Sequence, residues 1–181
     1  DGRNIQTNYT MTPCRIGILG AESCGKTTLG TALAERLYGT YVAEYARDYV
    51  GSLTRPYTYA DVVHIARKQC EQLTASYSTG WVFFDTELII TKVWFLHKYG
   101  KCPSFLTEML AHYPIRFALL CDCDLPFVFD PLRENPNLRQ ELTDWYKKEL
   151  ELYHIPYTLI RGTGDSRLHS AQQALRTVSL L

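Results

Sequence analysis

A chain of 181 residues has room for one domain with a substantial core, and its 46% apolar and 21% charged residues are the proportions of an ordinary globular protein. Lys and Arg total 19 and so do Asp and Glu, so no global field draws the chain toward nucleic acid or an anionic membrane surface. No apolar run approaches the roughly 20 residues of a membrane-spanning helix, and the polar N-terminus carries no signal-peptide core, which together point to a cytoplasmic chain.

Residues 1–11 read as a cloning remnant or a disordered N-terminal segment, and a single folded domain is expected over 12–181. The first strand is Cys14–Leu19. A glycine-rich bend follows, then an amphipathic helix over about Lys26–Tyr38 and a strand at Thr40–Ala43. A loop carrying Glu44-Tyr45-Ala46-Arg47-Asp48 comes next, then a helix at Tyr59–Ser76 and the apolar strand Trp81–Asp85. Helices are predicted at Leu88–Tyr99 and Ser104–His112, ahead of a strand at Phe117–Cys121. The final elements are a helix at Leu138–Tyr153, a strand at Tyr157–Arg161 and a helix at Ser166–Val178. Five strands alternating with helices predict an α/β fold, a parallel sheet with helices on both faces. WVFF and FALLC, as near-continuous apolar runs, fit strands buried on both sides. The six cysteines (Cys14, Cys24, Cys70, Cys102, Cys121 and Cys123) lack paired zinc-ligand spacing and read as reduced thiols. The five histidines form no close pair and receive no ligand role.

The strand–bend–helix passage holds Gly20-x-x-x-x-Gly25-Lys26-Thr27, the full phosphate-binding P-loop pattern. Its glycines let the backbone wrap an anion closely. The N–H groups of Glu22, Ser23, Cys24, Gly25 and Thr28 are then available to phosphate oxygens, and the helix turns its positive end to the same point. Lys26 should reach the β- and γ-phosphates of ATP, and the Thr27 hydroxyl should ligate Mg²⁺. Trp81–Asp85 has the form of a Walker-B strand, so Asp85 is a second candidate for Mg²⁺, against the alternative of a capping or surface aspartate. In a doubly wound sheet the Glu44–Asp48 loop opens onto the P-loop crevice. There Glu44 could accept the proton of a substrate hydroxyl and Arg47 could neutralise the phosphoryl group in flight, or the two could be an ordinary surface pair. Tyr45 and Tyr49 are near enough to line such a site.

Leu125–Arg139 is rich in proline and asparagine and contains Arg133 and Arg139, so it reads either as a surface connection or as a basic lid over the strand C-termini. The turn containing Gly162 and Thr163 could offer backbone groups to a purine ring. No Asn-Lys-x-Asp motif supports a GTPase. An AAA+ motor is disfavoured, because glutamate does not directly follow Asp85 and the length leaves little for a second domain.

Together, GAESCGKTTL, EYARDYV, FFDTE and DLPFVFDPLR resemble the ribosylnicotinamide kinase domain of bacterial NadR-type NAD-biosynthesis proteins, over about Arg15 to Arg167. The resemblance implies a P-loop kinase fold and transfer of the ATP γ-phosphate to the ribose 5′-hydroxyl of nicotinamide riboside, a small ribosyl substrate. Gly25, Lys26, Thr27 and Thr28 match the ATP loop, Glu44 and Arg47 the Glu-x-x-Arg signature, Asp85 and Thr86 the Asp-Thr signature, and Asp130 and Arg133 an Asp-x-Leu-Arg lid motif. Some members carry a tryptophan just before the glutamate of E-Y-x-R, where it could stack on a flat base; here Ala43 stands there. Multifunctional members carry a nucleotidylyltransferase domain ahead of the kinase, and adenylyl transfer is not inferred from these motifs. Another nucleoside or nucleoside-monophosphate kinase needs the same parts, and an ATP-sensing module that hydrolyses slowly is the reading from a different class.

Overall fold

The computed structural model describes residues 12–112, 115–132 and 136–178, so the expectation for residues 1–11 lies outside the described residues. Five strands, β1 (Cys14–Leu19), β2 (Thr40–Val42), β3 (Trp81–Asp85), β4 (Phe117–Cys121) and β5 (Tyr157–Ile160), form one parallel sheet in the order β2-β3-β1-β4-β5. Seven helices accompany them among the described residues: α1 (Lys26–Arg36), α2 (Tyr45–Ser52), α3 (Tyr59–Thr74), α4 (Leu88–Tyr99), α5 (Ser104–His112), α6 (Arg139–Leu152) and α7 (Gly164–Val178).

The sheet is apolar on both sides because both sides are covered. Ile18 of β1 points toward Gly30 of α1, while a side chain at Gly17 would strike Ile115 and Glu87 on the opposite face. Helices α1 and α7 pack together on one side, and α3, α4, α5 and α6 form a connected layer. No helix among the described residues is long and apolar enough to cross a membrane, and all six cysteines are free.

The predicted strands and the long helices stand within a few residues of their expected bounds. One prediction fails. The stretch after β2, expected as a loop, is the helix α2. It is only eight residues long, and its periodic signal is the spacing of Tyr45, Ala46, Tyr49 and Val50, two neighbouring i, i+4 pairs. Packing against α3 supplies what local propensity does not.

Strand order places the site. From β1 the chain passes through α1 to β2 on one side of the sheet, and from β3 it crosses past β1 to β4 on the other. The C-terminal ends of β1 and β3 therefore carry connections that diverge, and a crevice opens between them. Ile18 pairs with Asp85 in register, so the P-loop and the Asp-Thr bend leave the sheet side by side.

Candidate active site

The P-loop wraps closely because its backbone leaves the ordinary regions at three points. Gly20 has φ 156°, Ser23 φ 57° and Gly25, which caps α1, φ 74°. A side chain on Gly20 would lie 2.9 Å from the Cys121 carbonyl oxygen, and one on Gly25 would lie 3.0 Å from Leu125 Cδ1. Positive φ at Ser23 is uncommon for a residue with a Cβ, and such conformations collect where backbone amides must face a ligand. Lys26 Nζ donates to the carbonyls of Gly20 (2.9 Å) and Ala21 (3.0 Å), which keeps the ammonium over the loop.

Three polar side chains meet at the end of β3. Asp85 is 2% exposed, and its Oδ2 accepts from Thr27 Oγ1 at 2.6 Å and from Tyr41 Oη at 2.7 Å. Its Oδ1 is buried without a protein partner. Burial and the neighbouring carboxylate push the Tyr41 phenol up, so it stays a donor. Thr86 has φ 69°, rare for a β-branched residue, and its buried Oγ1 likewise has no partner. Orphaned hard oxygens beside a threonine hydroxyl fit a small divalent cation such as Mg²⁺, which takes one or two protein oxygens and completes its shell with phosphate and water.

Glu87 completes the D-T-E run with a different task. It is buried, and its carboxylate accepts the Ile89 amide at 2.8 Å to cap α4. Burial raises its pKa to about 7, against the smaller opposing effect of the Ile89 and Leu88 amides. The folded chain thus holds a proton there that the unfolded chain releases above about pH 4.5. Its contribution is fully present below that pH and is lost as pH rises through 7, a change of about 3 kcal/mol. Glu87→Gln should therefore melt several degrees above the wild type at pH 8 and show little advantage at pH 5, measured by thermal unfolding across that range.

A cleft of about 320 Å³ runs from the P-loop to the layer of α2, α4 and α6. Gly20, Glu22, Ser23, Cys24, Gly25, Lys26, Thr27 and Thr28 border it, as do Glu44 and Arg47. One end thus carries the loop, and Glu44, the N-cap of α2, stands on the facing wall. The other end is largely apolar and aromatic, formed by Val50, Tyr57, Trp94, Leu142 and Tyr146. Tyr57 and Trp94 meet edge to face with centroids 5.1 Å apart, and Trp94 Nε1 donates to Tyr57 Oη at 3.1 Å. Ala43 is exposed beside Glu44, so the indole in this cleft comes from α4.

The segment after β4 lies across the P-loop. The Val128 amide donates to Ser23 Oγ at 3.1 Å, Arg47 pairs with Asp130, and Leu132 reaches the cleft. Phe129 is 81% exposed on its outer side. Arg133 lies outside the described residues. Arg139, expected on the lid, is instead the first residue of α6, where its guanidinium donates to the carbonyls of Leu125 (2.8 Å) and Ser23 (3.2 Å). It braces the loop from behind. The Gly162 amide donates to Asp124 Oδ2 at 2.7 Å, and neither Gly162 nor Thr163 borders the cleft. Tyr45 and Tyr49 also turn away from the cleft, onto α3.

Arg167 and Tyr41 went unread in the sequence. Arg167 is 5% exposed and donates to the Cys24 carbonyl (2.7 Å), to Asp124 (2.9 Å) and to the Gly162 carbonyl (2.9 Å), tying the P-loop to the turns after β4 and β5. Burial penalises the Asp124 carboxylate, yet the Gly162 amide and Arg167 hold its pKa below the ordinary range. The available signal was an arginine on the apolar stripe of α7, in phase with Ala171, Ala174 and Val178.

A family model described as an AAA domain matches residues 15–167. The chain belongs to that family. The match concerns the P-loop domain and does not address a motor function, against which Thr86 in place of glutamate after Asp85 argued. This AAA-family chain is 31% identical over 171 residues to the trifunctional NAD biosynthesis/regulator protein NadR of Escherichia coli strain K12, covering 89% of the chain and 42% of that protein. A solved structure of a NadR protein in complex with NR is similar with a TM-score of 0.80 at 20% identity, over 93% of this chain and 52% of that one. Deoxyadenosine kinase from M. mycoides gives a TM-score of 0.64 at 12% identity, over 90% of this chain and 99% of that one. The AAA-family chain thus spans about half the length or less of the NadR proteins, and these likenesses establish a P-loop, nucleoside-kinase-like α/β fold.

Proposed function

We propose that the chain is a Mg·ATP-dependent kinase that phosphorylates the ribose 5′-hydroxyl of nicotinamide riboside, giving nicotinamide mononucleotide for NAD salvage. One observation carries the reading. One cleft joins the P-loop to a wall bearing Glu44 and Arg47 and then to an end lined by Tyr57, Trp94 and Tyr146. The similarity to NadR supports the choice of acceptor.

Thr27 and Asp85 would hold Mg²⁺, which would supply charge neutralisation to the phosphoryl transfer. The P-loop amides and Lys26 hold the ATP phosphates in place. Glu44 orients the 5′-hydroxyl and receives its proton as the oxygen bonds to the γ-phosphorus and the β–γ bridge bond breaks, so ADP leaves with the bridging oxygen. Arg47 exchanges Asp130 for the charge on the moving phosphoryl group, and the 125–132 segment excludes water from it. Such a kinase belongs in the cytosol, where ATP and reduced thiols coexist.

Another nucleoside kinase is the second reading, favoured by the likeness to deoxyadenosine kinase. ADP release measured with nicotinamide riboside, cytidine, uridine and thymidine separates the two. Preference for nicotinamide riboside is expected. A higher kcat/KM with a pyrimidine nucleoside would transfer the assignment to that class, and no acceptor outpacing water would favour a slow ATP-sensing module.

A further inference from the structure

Two walls of the acceptor end come from neither the sheet nor the long helices α4 and α6. One is α2, whose Ala46, Arg47 and Val50 border the cleft together with its N-cap Glu44. The other is the connection from α2 to α3, which presents Tyr57. Both are short, and neither contributes a strand to the sheet that places the P-loop.

Both walls converge on one carboxylate. Asp61, in the first turn of α3, is 4% exposed. Its Oδ1 accepts from Tyr49 Oη of α2 at 2.9 Å and from Arg55 Nη2 at 3.0 Å. Its Oδ2 accepts from Arg55 Nη1 at 2.7 Å, from the Thr58 amide at 2.7 Å and from Thr58 Oγ1 at 2.9 Å. A capping box uses only the Thr58 contacts. The bidentate arginine and the tyrosine exceed what a helix cap needs. They reach the two elements that carry Tyr57 and Arg47. Arg55 Nη1 also donates to the Pro56 carbonyl at 3.0 Å, fixing the backbone immediately before Tyr57. On α2, Tyr45 and Tyr49 stand one turn apart on the face toward α3, where Tyr45 Oη meets His64 Nε2 at 2.9 Å and the Tyr49 and His64 rings lie tilted with centroids 4.8 Å apart. The Arg55 guanidinium and the Thr58 amide hold the Asp61 carboxyl well below the usual carboxylate range, so the hub stays charged.

We infer that Asp61 is a positioning residue for the phosphoryl acceptor: through Tyr49 it sets α2 with Glu44 and Arg47, and through Arg55 and Thr58 it sets the Tyr57 wall. The inference rests on the kinase reading for the identity of the acceptor, and on the α2–α3 geometry for the coupling itself. It separates the two substrates, because the P-loop is held by Arg139 and Arg167 from other elements.

Tyr49→Phe severs only the α2 link and keeps the helix cap, and Asp61→Asn weakens both links. Acceptor kcat/KM should fall by about 10²-fold in Asp61→Asn, the scale of a misplacement near 1 Å. It should fall by about tenfold in Tyr49→Phe, the loss of one hydrogen bond to a charged group. The ATP dissociation constant, measured by displacement of a fluorescent ATP analogue, should not change in either. Hydrogen exchange gives a readout independent of turnover: amides of α2 should exchange faster in Tyr49→Phe, while those of α1 keep their protection. Unchanged α2 protection, or an ATP affinity that falls in step with acceptor kinetics, would overturn the assignment. A lowered melting temperature with unaltered kinetics of the folded fraction would reduce Asp61 to a helix cap. Failure of the kinase reading would show separately, as a wild-type chain that phosphorylates no nucleoside.

Discussion

Lys26→Ala is expected to abolish measurable phosphoryl transfer and to weaken ATP binding while leaving a folded chain. The ammonium is held by two P-loop carbonyls, Gly20 and Ala21, so it is already stationed where triphosphate oxygens would lie. Preorganised charge of this kind costs no reorganisation at the moment of transfer, and removing it typically lowers the rate about 10²–10³-fold. Lys26 is the first residue of α1 and belongs to no ion pair among the described residues, so its truncation leaves no carboxylate without its partner. Far-UV circular dichroism and thermal unfolding check the fold, and single-turnover transfer with saturating ATP reads the chemistry. Near-normal turnover in a folded variant would sink the P-loop role of Lys26.

The second large effect separates two carboxylates on opposite sides of the cleft. Asp85 ends β3 beneath the P-loop, joined to Thr27 through Oδ2 and with Oδ1 unpartnered. Glu44 caps α2 on the facing wall. Glu44→Gln should lower kcat for the acceptor by about 10²-fold, the lower range for a general base, because a loose phosphoryl transfer needs orientation of the hydroxyl more than early proton removal. Its Mg·ATP affinity should stay near that of the wild type. Asp85→Asn should instead move the Mg²⁺ dependence of turnover to higher concentration, since an amide replaces a charged oxygen at the proposed metal position. Titrating Mg²⁺ at saturating acceptor distinguishes them. A metal defect in the Glu44 variant with none in the Asp85 variant would reverse the roles and put the acceptor on the wrong side.

How much could be read in advance follows from the range of each interaction. The P-loop is a local object: Gly20, Gly25, Lys26 and Thr27 act through a bend whose spacing is written in eight consecutive residues, between a strand and a helix. Asp85 was legible for the same reason, as a polar residue ending an apolar run. Strands β3 and β4 were legible because burial on both faces demands continuous apolar runs. Helix α2 was not, because an eight-residue helix has little stability alone and takes it from α3. The partners of the site were equally hidden. Tyr41 reaches Asp85 across 44 residues, Arg167 reaches Cys24 across 143, and Trp94 meets Tyr57 across 37. Arg139 belonged on a lid by composition and proves to brace the P-loop, because the segment before it folds back over that loop and starts α6 there. Periodicity and spacing thus carried the fold and the candidate phosphate-binding residues, whose geometry is set by neighbours along the chain. The proposed acceptor walls, the support behind the P-loop and the Asp61 junction depend on contacts between elements far apart in the chain, and no local pattern encodes which of them will meet.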